Sequence, residues 1–499
     1  MSEFINRESA ESDLLACAAF VAEQIGSADG RAASLSDIAL RYAAKNELDL
    51  AAQLADSIPD PHLRDATLAE IAARCADFDD DEYGLQLVEA INDNGLQQQA
   101  LQNLALRQAH HQKFATALAT AESMNDSSAA IAEIALLNAQ SGDFAQTRQM
   151  LEQISVPVLR ARVLNQIAAT QSKENQAADA ALSEALIEAD NVEFPTEQIE
   201  LLLAIAARFV EAKQNEKALA ILEKARLTTD KLERRFRDAA LAQTAFLYAQ
   251  CKDFGQAEKT LKSIIDLQQT ATAQTAIALE HFHAGEADLA LSTLTEAYQL
   301  LKSQSAREVR DSAAKFNLLA TIAIRLAQFG KFEHALELAL ENPDDEERHT
   351  ALTNIAGLCA AQGKTELARQ TVQAIKDDAA KVFALIAVAR AEGEQENNSS
   401  SIETAVKTLT EAHALTEEVG QLSLRSRALN EIAVGYNDAD DKTTARQILS
   451  ESLKVAALIL DRSQQSIVLA NIAETFEKLD FQLNDSDLEI LNLIVRKNL

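Results

Sequence analysis

The sequence predicts an all-α fold, a solenoid of about thirteen antiparallel helix pairs along its 499 residues. A recurring alanine pair, a recurring apolar stripe and a recurring turn carry that expectation. The alanines stand twelve residues apart: Ala39/Ala51, Ala105/Ala117, Ala168/Ala180, Ala206/Ala218, Ala245/Ala257, Ala278/Ala290, Ala323/Ala335, Ala356/Ala368 and Ala433/Ala445. Ala72/Gly84 and Ala135/Thr147 keep the spacing with another small residue in second place. A fixed internal period marks an array in which each unit packs on its neighbours.

The first helix of each unit is read from what precedes its alanine. Four residues before it stands a large apolar side chain, as in Leu35, Leu68, Leu202, Leu352 and Leu429, with Gln274 the exception. Immediately before it usually stands Ile or Leu, as in Ile38, Ile71, Leu104, Ile205 and Ile432. Positions three and four apart share one face of a helix, so these residues form a single stripe. The alanine beside them lets two helix axes approach to roughly 8–10 Å.

A turn follows seven residues after the first alanine: Gly142, Gly285, Gly330 and Gly363, or Asn46, Asn175, Asp79 and Asp440. These residue types tolerate the left-handed conformation that ends a helix. The second helix often opens on an aromatic residue, as at Phe114, Phe144, Phe254 and Phe332. It closes near a further turn such as Ser57-Ile58-Pro59-Asp60-Pro61. First alanines are commonly 33 residues apart, stretching to 45 and 46 at 278 to 323 and 387 to 433.

This pattern resembles the tetratricopeptide repeat, in degenerate form. The large residue is Leu rather than the family's frequent Trp, and the chain contains no Trp. The aromatic three after the alanine is kept in Tyr42, Phe209, Tyr248 and Tyr436, and is Cys75, Cys359, His281 or Gln108 elsewhere. The resemblance implies a right-handed superhelix whose first helices line a groove. It implies a binding role without naming a partner, because one fold serves many functions.

Three segments are expected. Residues 1–29 supply an N-terminal capping helix, 30–480 the repeat array, and 481–499 a C-terminal capping helix with Ser486 as N-cap. The polar stretch near 392–401, Glu-Gly-Glu-Gln-Glu-Asn-Asn-Ser-Ser-Ser, is expected to be a mobile loop between two helices.

Charge narrows the function. With 46 basic and 77 acidic residues the formal net charge is −31, which opposes nucleic-acid binding and permits a basic partner. Cys17, Cys75, Cys251 and Cys359 are isolated and lack ligand spacing, so they read as small core residues in a reducing compartment. The first residues lack the pattern of a signal peptide, and no apolar run is long enough to span a membrane. A cytoplasmic protein is expected.

Chemistry-bearing motifs are scarce. The run Asp77-Phe78-Asp79-Asp80-Asp81-Glu82 lacks calcium-loop spacing and reads as a solvated turn. Asp344-Asp345-Glu346-Glu347 suits the first turn of a helix. His110-His111 and His281-Phe282-His283 offer no third ligand. Neither a phosphate loop nor a nucleophile elbow is present. Catalytic residues, metal and cofactor are therefore all expected to be absent.

One feature is not generic. Eight residues before the first alanine stands a base: Arg31, Arg64, Arg160, Arg237, Lys315, Arg348 and Arg425. The site opens the first helix, where the dipole disfavours cations, so something else must hold it there. A structural ladder linking adjacent units is the favoured reading, and a stripe receiving acidic peptide groups is the other. Asp37/Arg41 and Glu70/Arg74 form a second set, acid before base at i,i+4. Arg107, Arg208 and Arg325 repeat its basic member and are expected to be exposed.

The function expected is a non-catalytic scaffold or adaptor that binds a protein or peptide along the groove. Leu40, Leu106, Leu136, Phe246, Leu279 and Ile324, each directly following a first alanine, are the candidate groove residues. A solenoid that senses a peptide or small ligand is the alternative, and an enzyme with an unrecognised site is a weaker one. Sequence leaves the oligomeric state open.

Overall fold

The computed structural model of the chain describes residues 6–171, 176–303, 312–394 and 399–499. Among these every regular element is a helix. Contacts gather them into two compact units, Met1–Gln97 with Gly330–Leu499, and Gln98–Phe329.

The first unit opens with α1 (Arg7–Ser12), α2 (Leu14–Glu23), α3 (Ala28–Ala44), α4 (Leu48–Asp56), α5 (Pro61–Arg74) and α6 (Asp81–Glu89). The second holds α7 (Asn94–His110), whose first turn precedes the boundary, then α8 (Phe114–Glu122), α9 (Ser128–Ser141), α10 (Phe144–Gln153), α11 (Pro157–Thr170) and α12 (Gln176–Asp190). It continues through α13 (Pro195–Glu211), α14 (Asn215–Thr228), α15 (Arg234–Gln250), α16 (Phe254–Leu261), α17 (Leu267–His283), α18 (Ala287–Ser303) and α19 (Ser312–Gln328). The first unit resumes with α20 (Phe332–Glu341), α21 (Asp345–Ala361), α22 (Thr365–Gln373), α23 (Asp378–Gly393) and α24 (Ser399–Leu415). It ends with α25 (Leu422–Asp438), α26 (Lys442–Ala456), α27 (Arg462–Lys478) and α28 (Asp485–Asn498).

The odd-numbered helices α3 to α27 carry the first alanine and the even-numbered α4 to α26 follow as partners, a tetratricopeptide-like alternation. The alanines sit at helix contacts as their spacing requires: Ala39, Ala51, Ala206, Ala218, Ala323 and Ala335 are all fully buried. One pair departs from the register. Ala180 is exposed and Ala181 is buried in its place. The turn before α12, with Asn175, lies outside the described residues.

The turns are more regular than their sequences. Positive φ occurs at Asn46, Asp79, Asp440, Gly142, Gly285, Gly330 and Gly363, and also at Gln112, Lys213, Lys252 and Asp480. All lie seven residues after a first alanine. The next N–H then reaches back to a carbonyl in the last turn, as from Glu47 to Tyr42, Asp253 to Tyr248 and Lys364 to Cys359. That is the Schellman closure, which satisfies carbonyls the helix cannot.

The segments expected to cap the array meet each other. Helix α2 is buried from Leu14 to Ala22 and packs lengthwise along α27, as the partner of a first helix does. It also packs on α3, while α27 touches α3 and α28 covers α1 and α2. Ser466 donates to the Ala18 carbonyl at 3.0 Å, and Arg462 to the Gln24 carbonyl at 2.7 Å. Helix α2, from the start of the sequence, thus fills the partner position beside α27 near its end.

Three local expectations are corrected. The N-cap of α28 is Asn484, not Ser486: Asn484 and Asp487 form a reciprocal capping box. Arg107, Arg208 and Arg325 are half-buried rather than exposed. Arg208 pairs with Glu211 at 2.8 Å, and Arg325 donates to Gln328 at 2.7 Å. The polar stretch near 392–401 is helical at both edges, with Glu392 buried and accepting from Thr408 at 2.6 Å. Residues 395–398 lie outside the described residues.

Candidate ligand-binding groove

In three units the base eight residues before the first alanine is held by carbonyls at the end of the preceding helix. Arg160 donates to the Leu151 and Ile154 carbonyls at 2.6 and 3.3 Å and to Glu188 at 2.8 Å. Arg348 donates to the Asn342 carbonyl at 2.8 Å and pairs with Asp345. Arg31 reaches the Ile25 carbonyl at 3.4 Å, just past α2. The last carbonyls of a helix lack partners and carry negative partial charge, so a cation belongs there.

The same position holds glutamine in other units. Gln97, Gln198 and Gln465 donate to the Val88, Ala189 and Ala456 carbonyls at 3.2, 3.1 and 3.0 Å. What the site selects is a long donor, of which charge is one version. Sequence reading for bases alone misses these three.

Three further bases at this position stand beside carboxylates. Arg64 donates to Asp65 at 3.0 Å, and Arg237 and Arg425 stand 3.6 Å from Asp230 and Glu451. Lys315 lies half-buried on α19. Asp65 in turn accepts the backbone N–H of Asn92 and Asp93, both at 3.0 Å. Burial pushes its carboxyl up, but Arg64 and those two N–H groups outweigh this and hold it below the usual carboxylate range.

The candidate groove residues Leu40, Leu106, Leu136, Phe246, Leu279 and Ile324 are all half-buried. Leu106 and Leu136 lean on the apolar core of the second unit. The position after the first alanine is Val434 on α25 and Glu474 on α27, and there it borders a cleft.

That cleft, of about 270 Å³, lies between α25 and α27. Ser423, Arg427, Asn430 and Val434 line it from α25, and Val468, Asn471, Glu474 and Lys478 from α27. Asn430 is 7% exposed, and among the described residues its Oδ1 has no hydrogen-bond partner. Asn471, by contrast, is committed: its Oδ1 accepts from Arg41 at 2.7 Å. Arg41 also donates to Glu474 at 2.7 Å, to the Ala470 carbonyl at 3.1 Å and to Asp37 at 3.0 Å.

A second hollow, of about 240 Å³, lies on the other side of α25 against α23 and α24. Ile386, Ala389, Ile402, Ala405 and Leu409 make its floor, and Arg390, Glu394, Glu431 and Asp438 its rim. Glu431 borders both cavities.

The remaining polar candidates are structural in their contacts. All four cysteines are free and buried. Burial pushes the Cys17 and Cys75 thiols up to about 12 and those of Cys251 and Cys359 up to about 11, leaving little thiolate at neutral pH. His281 stacks on Phe254 with ring centroids 4.0 Å apart and contacts Glu286 at 2.7 Å. Asp80, in the acidic run, caps α6 through the Tyr83 N–H. Among the described residues no group of three His, Cys, Asp or Glu side chains is placed to hold a metal, and no helix is long and apolar enough to cross a membrane.

No protein-family model and no curated protein matches the chain. Solved structures similar to it include Ton1535 from Thermococcus onnurineus NA1, 18% identical, spanning 64% of this chain and 99% of that one, with a TM-score of 0.26. A circular tandem repeat protein with novel repeat topology is 12% identical over 97% of this chain and 99% of its own, at a TM-score of 0.15. A signal transduction ATPase with a tetratricopeptide repeat sensor from Pyrococcus horikoshii is 14% identical over 86% and 67%, at 0.27. With TM-scores this low, the repeat assignment rests on the helix pairs themselves.

Proposed function

We propose that the chain is a non-catalytic scaffold that holds a peptide or protein segment along the face of its first helices. The observation that carries this is Asn430. A carboxamide oxygen buried without a partner costs about 1–3 kcal/mol, and such groups are rare in folded proteins. Asn430 lines the cleft between α25 and α27, and a peptide N–H that reached its buried oxygen would be the donor it lacks. A preformed cleft on rigid helices binds an extended segment with little ordering cost.

The basic ladder is structural in this proposal. Arg31, Arg160 and Arg348 spend donors on helix-end carbonyls, and Arg64, Arg237 and Arg425 stand beside carboxylates. The partner is a protein or peptide, with basic character favoured by the charge of −31, and nucleic acid is disfavoured by the same charge.

Asn430→Leu tests the reading, since it keeps the branched shape and removes the amide. Peptides selected from a random displayed library on the parent protein should bind the variant about tenfold more weakly, a loss of about 1.4 kcal/mol. The variant should melt no lower than the parent, because an unsatisfied polar group has gone. Equal affinity for both proteins would reject the cleft as the binding site.

A further inference from the structure

We infer that the hollow between α23, α24 and α25 is the anchor pocket for a basic side chain, lysine or arginine, of a peptide gripped at Asn430. This rests on the proposed function and adds the identity of the anchoring residue. Three observations support it.

The first is size. At about 240 Å³ the hollow falls below the range of roughly 300–1,000 Å³ that holds free ligands, and it suits one side chain. The second is chemistry. The floor is made of Ile386, Ala389, Gly393, Ile402, Ala405 and Leu409, whereas three of the four charged rim residues are acids. Arg390 faces Glu431 at 3.5 Å, and among the described residues Glu394 and Asp438 form no ion pair. An apolar stem with a cationic head matches such a pocket, because lysine and arginine bury their methylenes and keep the charge at the rim.

The third is register. Asn430 and Glu431 are consecutive on α25, so their side chains leave the helix about 100° apart. One opens onto the cleft toward α27, and the other borders both cavities. A backbone held at Asn430 therefore runs past the mouth of the hollow, within reach of one of its own side chains.

A random dodecapeptide library displayed on phage is the probe. Three proteins are screened: the parent, Glu394→Gln/Glu431→Gln/Asp438→Asn, and Ala439→Leu, which fills the hollow from its edge. Matching thermal melts and circular dichroism confirm that all three fold. Peptides selected on the parent should carry arginine or lysine at one fixed position. Replacing that residue by citrulline, or by norleucine where it is lysine, should weaken binding to the parent about tenfold. The same replacement should change binding to the charge-neutralised variant less than about twofold, the coupling expected of groups in contact. Ala439→Leu should likewise lose the preference while still binding through Asn430. An acidic or purely apolar preference at that position, or a basic preference kept by both variants, overturns the anchor and leaves the groove standing. Binding insensitive to Asn430→Leu overturns the groove itself.

Discussion

Asp65 shows how a single side chain carries the repeat geometry. It is 3% exposed, yet its carboxylate serves Arg64 on its own helix and the N–H groups of Asn92 and Asp93 ahead of α7. Asp238 repeats the backbone half of the arrangement, accepting from Ile265 and Asp266 at 3.2 and 2.8 Å, while Arg237 beside it pairs with Asp230 instead. Because the folded carboxyl titrates below its ordinary value, its contribution is complete above the unfolded pKa near 4 and is lost as pH falls through the folded one. We predict that Asp65→Asn destabilises the protein by about 1–3 kcal/mol at pH 7. The gap between parent and variant should narrow as urea melts are taken below about pH 4. A gap that widens in acid would contradict the assigned sign. The sequence marked the arginine beside Asp65 but not the aspartate, since one acid among 77 carries no signal until the fold buries it.

At the scale of the element, regularity outruns composition. The alanine spacing located the helix pairs because small residues at fixed offsets are what close packing demands. The glycine and asparagine turns were legible for the same physical reason. Gln112, Lys213 and Lys252 were not, although they adopt the same positive φ, because their types ordinarily avoid it. The fold imposes the turn there, and the side chain bears the strain. We predict that Lys252→Gly, φ 63°, stabilises the protein by up to about 1 kcal/mol, net of the added unfolded-state entropy. Gly142→Ala, φ 91°, should cost about 1 kcal/mol in the same melts. Opposite signs at equivalent positions distinguish backbone strain from lost side-chain contacts. The Asn430 cleft was invisible at this scale. Its carboxamide is orphaned by the arrangement of two helices 40 residues apart, which no local pattern encodes.

At the scale of the whole molecule, helix α2 links the start of the sequence to its end. Leu14-Leu15-Ala16-Cys17-Ala18-Ala19-Phe20-Val21-Ala22 is apolar on every side. A capping helix keeps a polar outer face, whereas a helix apolar all round must be covered all round. The structure supplies that cover from α27, α28 and α3. Arg41 of α3 adds three bonds to α27, to Ala470, Asn471 and Glu474, with Asp37 bracing it on its own helix, and Lys45 meets Glu477 at 2.8 Å. The repeats nearest the end of the sequence are therefore stabilised by residues from its start. Phe20, fully buried in α2, tests this. Phe20→Ala should cost about 3–5 kcal/mol, the usual penalty for emptying a buried aromatic site. If each repeat leaned only on its sequence neighbours, the damage would stay near residues 14–50. Instead, hydrogen exchange should accelerate in α27 and α28, more than 400 positions away in sequence, ahead of the helices of the second unit. Exchange in Arg462–Lys478 unchanged from the parent, with loss of protection confined to the first helices, would show that the contact between the two segments contributes no stability.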